Sequence, residues 1–162
     1  MNSSKRFGIL CQSGFTYLEL IIASMILAIL AAAVVPVAQV TAKRAKEAEL
    51  RRDLRTMRTA IDDYKRAVDL GMIGGTDLEL GSEGYPKDLE TLVEGVTQVG
   101  TPGKKLKFLR RIPVDPMTSS NEWGLRSYQD EPDSTFWGGQ NVYDVYSKST
   151  AIALDGTKYS DW

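Results

Sequence analysis

The chain has 162 residues, with 20 basic and 21 acidic side chains, a net charge of −1, and no histidine. So short a chain has room for one membrane segment and one small soluble domain, and the missing histidine removes Ser-His-Asp and Cys-His catalysis, histidine metal ligation and histidine pH switching together. The near-neutral charge gives no general attraction to nucleic acid.

Residues 1–14 contain Lys5 and Arg6 and no acid. The single cysteine, Cys11, falls in this stretch. It follows Ile9-Leu10 rather than a small residue and has no apolar run before it, which argues against a lipoprotein acylation site. Next comes Ser13-Gly14-Phe15-Thr16-Tyr17-Leu18-Glu19-Leu20, which places one carboxylate at the head of an apolar run. Residues 20–37 carry no charge. At about 1.5 Å per residue they span roughly 27 Å as a helix, close to the hydrocarbon thickness of a bilayer. Glu19 therefore stands at or inside the membrane boundary, where an ionised group costs about 2.5 to 3.5 kcal/mol unless it has a partner. One reading is a glutamate that snorkels to the headgroups. The other is a glutamate with a partner.

These residues resemble the processing site of type IV pilins and pseudopilins, a short basic leader ending in Gly before Phe-Thr, Leu and Glu. The resemblance implies cleavage between Gly14 and Phe15 by a prepilin peptidase, N-methylation of Phe15, and pairing of Glu19 with the N-terminal amine of a neighbouring subunit. An ammonium at Phe15 and a carboxylate at Glu19 are each costly in lipid alone, and an incoming copy neutralises one with the other. Removing the leader also removes Cys11 and leaves 18 basic against 21 acidic residues. The apolar run follows the cut rather than preceding it, so it stays with the product as an anchor. Counting Lys43, Arg44, Lys46, Arg51, Arg52 and Arg55 against Lys5 and Arg6 would put the C-terminal side in the cytoplasm. That rule weakens for long translocated domains, and the motif favours the periplasm.

Beyond the anchor, Leu50, Leu54, Met57, Ile61, Tyr64 and Val68 recur every three or four residues and draw one apolar stripe along a helix. It spans under three heptads, so a helix packed on a sheet is expected rather than a sustained coiled coil. Between anchor and stripe the only breaker is Pro36, so 15–70 reads as one helix, kinked or loosened where Pro36 removes the hydrogen bond to the Ala32 carbonyl. In the family resembled, a proline here marks a stretch that melts on assembly, and a tolerated membrane kink fits equally.

Residues 71–84 hold five glycines and end the helix. Tyr85-Pro86 opens a short helical turn with Leu89, Leu92 and Val93 on one face, closed by Gly95. Lys104, Lys105, Lys107, Arg110 and Arg111 then form a basic cluster. With only Phe108 interleaved, it reads as a solvated face or subunit contact rather than a nucleic-acid site. Two strand-forming runs follow, around 122–129 and 141–147, separated by Pro132, Gly138 and Gly139, and Asp155-Gly156 signals a turn before a short final strand at 157–159. Trp123 and Trp162 are expected to close the core.

The C-terminal half narrows the resemblance. Tyr85-Pro86 with Leu89 and Leu92, the run Phe108-Leu109-Arg110-Arg111-Ile112-Pro113-Val114-Asp115-Pro116, then Tyr143-Asp144-Val145-Tyr146-Ser147 and Trp162 are similar to the major pseudopilins of type II secretion. Many of those hold calcium in an acidic loop after the Tyr-Ser strand, whereas this chain reads Lys148-Ser149-Thr150-Ala151-Ile152-Ala153-Leu154-Asp155-Gly156. Asp144, Asp155 and Asp161 are the calcium candidates, few for an ion that takes 6 to 8 oxygens, so no cofactor is expected.

The fold class expected is α+β and pilin-like, a long N-terminal helix packed on a small C-terminal antiparallel sheet. Its parts are a leader (1–14), a transmembrane and filament-core helix (15–40), an amphipathic continuation (41–70) and a periplasmic globular domain (71–162). The resemblance implies a non-enzymatic subunit of an inner-membrane-anchored pseudopilus that helps drive folded proteins across the outer membrane. Its implied partners are other copies of itself, prepilin peptidase, minor pseudopilins, an inner-membrane platform with its ATPase, and membrane lipid, and nucleic acid is not expected among them. A type IV pilus or minor pilin-like subunit and a membrane-anchored binding or sensor module are the alternatives.

Overall fold

The computed structural model describes residues 14–74, 81–101 and 103–162. The expected leader up to residue 13, with Lys5, Arg6 and Cys11, lies outside the described residues, as do 75–80 of the glycine-rich loop. The chain divides into two units, Met1–Thr41 and Ala42–Trp162.

Helix α1 runs Tyr17–Asp69 and contains Pro36. Its first turn is capped by Thr16, whose hydroxyl accepts the Glu19 N–H at 3.2 Å. In the first unit the large apolar side chains stand in the open, from Phe15 and Tyr17 to Val37 and Val40. This is the one helix among the described residues long and apolar enough to cross a membrane.

In the second unit the periodic stripe is the core. Leu50, Met57 and Ile61 are fully buried, Leu54 and Tyr64 nearly so, and Ala60 and Ala67 extend the same face. They pack in one cluster with Leu92, Val96, Leu109, Trp123, Val142, Val145 and Tyr159, while Trp162 packs against its edge. The stripe faces the C-terminal domain, as its short length implied.

After α1, helix α2 spans Leu89–Glu94. Asp88 caps it by accepting the Thr91 N–H at 2.8 Å and the Thr91 hydroxyl at 2.6 Å. Gly95 ends it at φ +78°, where a Cβ would stand 2.6 Å from the Leu106 carbonyl oxygen, so position 95 demands glycine on two counts. The expected single sheet is two separate hairpin-like pairs. Strands β1 (Val96–Thr97) and β2 (Lys105–Leu106) pair antiparallel with Val96 opposite Leu106. Strands β3 (Gly124–Arg126) and β4 (Asp144–Tyr146) pair antiparallel with Leu125 opposite Val145. The first pair was not foreseen, because its two-residue strands are too short for an alternating pattern to register. The foreseen last strand is reduced to one bridge, Ile152 to Lys158, because the chain turns at once into a 3₁₀ turn, Tyr159–Asp161.

The proline run is tied inward by Asp115, which is fully buried. Its carboxylate accepts the Met117 N–H at 2.7 Å and the Ser147 hydroxyl, linking the crossover to the end of β4.

Candidate functional site

Two places gather the residues singled out from the sequence. At the head of α1, Thr16 and Glu19 occupy the N-cap and N3 positions, the spacing of a capping box. The Thr16 hydroxyl takes the Glu19 backbone N–H, and the Glu19 carboxylate sits in the first turn, where the positive end of the helix dipole favours an anion. Phe15 is 77% exposed, one residue before the cap. Thr16 was read from the sequence only as part of the motif, although Thr-Tyr-Leu-Glu ahead of an apolar run already spells a capping box. Gly14 lies immediately before Phe15 in non-helical backbone, and α1 continues through Pro36.

The second place is the C-terminal segment, where α1 presents Lys43, Glu47 and Arg51 one turn apart on one face. Lys43 donates from Nζ to the Ile152 carbonyl at 2.6 Å. Glu47 accepts both the Leu154 N–H at 2.8 Å and the Tyr159 hydroxyl at 2.9 Å. Arg51 reaches Asp155 at 3.3 Å and lies 4.1 Å over the Trp162 ring. Tyr159 is almost wholly buried, and burial first, then its hydrogen bond to Glu47, pushes its phenol up to about 12. A further two turns along, Arg58 donates to Asp144 at 2.6 Å, to the Val145 carbonyl at 3.1 Å and to the Trp162 carbonyl at 2.8 Å. These long-range contacts were invisible to pattern reading, though the basic run 43–58 held the residues that make them.

The three calcium candidates are drawn apart by this network. Asp144 lies between Arg58 and Arg126, the latter at 3.6 Å. Asp155 closes its own turn by accepting the Thr157 hydroxyl at 2.6 Å and its N–H at 2.9 Å, and these bonds, with Arg51 nearby, hold its carboxyl below the ordinary range. Asp161 accepts only from Ser160 among the described residues, at 3.0 Å. Among the described residues no group of three or more His, Cys, Asp or Glu side chains is placed so that it could hold a metal ion.

The basic cluster is split as well. Lys105 is in β2, Arg111 lies near enough to Asp53 to act on its charge, and Phe108 packs edge-on against Tyr64 at 5.4 Å.

Compared with known proteins, the chain is 32% identical over 141 residues to the type II secretion system core protein G of Pseudomonas aeruginosa strain PAO1, covering 84% of this chain and 82% of that protein. No family model matches. No solved structure matches. The structure has a long apolar helix followed by small antiparallel strand pairs, and on the sequence comparison the chain belongs to the family of type II secretion system core protein G, the major pseudopilins.

Proposed function

We propose that this protein is the repeating subunit of a type II secretion pseudopilus, a structural protein rather than an enzyme. Prepilin peptidase cuts between Gly14 and Phe15, α1 holds the product in the inner membrane, and the domain after residue 41 stands in the periplasm. Subunits then leave the lipid for a growing filament. The platform and ATPase of the secretion system add them at the base, and the filament helps move folded cargo through the outer membrane alongside minor pseudopilins.

The observation that carries this reading is the first half of α1, apolar on every described side, uncovered, and charged only at Glu19. Lipid satisfies the apolar surface but leaves Glu19 without a counter-charge, whereas a second copy satisfies both. Dispersion between packed helices then replaces contact with acyl chains. Pro36 gives the helix one place to yield, since the Ala32 carbonyl lacks its usual donor.

The test is Glu19→Ala. The variant is expected to be cut and inserted into membranes normally but to form no filaments, read by electron microscopy and by sedimentation of sheared material. Filaments at native yield from that variant would remove the pairing step.

A further inference from the structure

We propose that opposite flanks of the soluble domain dock between successive copies of this chain, Lys104, Lys105 and Lys107 of one copy seating on the acidic tyrosine cleft around Tyr128 and Tyr143 of the next. This inference rests on the filament reading above and supplies a lateral contact for it.

The cleft is a cavity of about 430 Å³ lined by Tyr128, Tyr143, Pro132, Asp130 and Glu131 together with the Arg126–Asp144 pair. Tyr128 is 56% and Tyr143 45% exposed, unusual for rings that also contact one another. Tyr85 stacks on Tyr128 at 5.8 Å, and Tyr143 meets Tyr85 and Tyr128 edge-on at 5.2 and 5.4 Å, so the three rings form a fixed aromatic wall. Asp130 is held ionised by the Ser127 and Gly138 N–H groups at 2.7 and 3.1 Å. Glu131 and Asp133 are exposed beside it and make no ion pair among the described residues.

Ring faces edged by carboxylates fit a lysine, whose methylenes lie on the rings while its ammonium meets both the π-electrons and the acid. The fold already uses this chemistry at the same wall, with the Lys65 ammonium 5.8 Å over Tyr85.

The complementary charge is on the same molecule. Lys104, Lys105 and Lys107 are exposed and, among the described residues, their side chains make no ion pair or hydrogen bond. One copy cannot join the two faces by itself. The basic hairpin follows the side of α1 where Phe108 borders Ala60 and packs on Tyr64. The cleft follows the side where Arg58 holds Asp144 and Lys65 covers Tyr85. At 3.6 residues per turn those helix positions are roughly 130° apart. Two different, mutually complementary patches make a head-to-tail contact, which repeats into an open filament rather than closing a dimer.

The experiment is run in cells with an active secretion system, on the full chain carrying Cys11→Ser. Lys105→Cys with Glu131→Cys, treated with a bismaleimide, is expected to give a ladder of dimers, trimers and longer products, with each single-cysteine chain giving no ladder. Reversal by Lys104→Glu, Lys105→Glu and Lys107→Glu is expected to cut filament yield at least tenfold, as is Glu131→Lys with Asp133→Lys. All five changes in one chain are expected to restore it. Circular dichroism of the purified variants checks that each remains folded. Native-yield filaments from the reversed chains, no ladder from assembled filaments, crosslinks to another protein instead, or failure of the combined chain to recover would each overturn the contact while leaving the filament reading in place. Absence of filaments even from the native chain would overturn both.

Discussion

Glu47 shows how much one side chain holds. Its carboxylate accepts two donors from the C-terminal segment, one of them the buried Tyr159 hydroxyl. Glu47→Ala leaves the buried phenol without its acceptor and turns the exposed Leu154 N–H to water, a loss of about 1 to 3 kcal/mol. It should lower the thermal midpoint and speed hydrogen exchange at Leu154, while Glu47→Gln, which keeps an acceptor, should cost less. Tyr159 adds a pH dependence whose sign is fixed. Its phenol holds its proton more tightly folded, at about 12, than unfolded, at about 10. The stability this contributes is complete below pH 10 and fades as pH rises towards 12. In an alkaline titration followed by circular dichroism, Tyr159→Phe is expected to flatten the fall in that window. Asp115 is the third such residue, fully buried, and Asp115→Ala should cost about 2 to 4 kcal/mol by stranding the Met117 N–H and the Ser147 hydroxyl.

At the level of elements, the sequence was most legible where a period could repeat. The α1 stripe from Leu50 to Tyr64 is the core because five positions at helical spacing leave little alternative. The β3 and β4 regions were found through their β-formers, but their extent shrank to three residues each once tertiary contacts set the limits. The β1–β2 hairpin was missed, since two residues carry no pattern, and its sign was instead Gly95. Gly95→Ala should destabilise by about 2 kcal/mol or more, because it combines positive φ with a clash against the Leu106 carbonyl. A urea titration that follows the unit Ala42–Trp162 reads this directly. The strap from Lys43, Glu47 and Arg51 was illegible for another reason. Its partners lie more than 100 residues away, and a charge run on a helix says nothing of what it will meet.

For the whole molecule, the division at residue 41 separates two kinds of stability. The unit Ala42–Trp162 closes its own core, whereas the large apolar side chains described in the first unit are all exposed. The motif around Gly14 and Glu19 stands out in the sequence because it is local, and the structure adds to it the Thr16 cap on the Glu19 N–H. What the C-terminal loop does instead of gathering acids emerged only in three dimensions. In the filament proposed, trimming creates an amine at Phe15 for the Glu19 of the next copy. The intact mass of native protein extracted from membranes tests it most directly. A chain that begins at Phe15, heavier by one CH2 where a methyl group replaces an amine hydrogen, is the result predicted, and a chain that still carries its first fourteen residues and remains monomeric would contradict it.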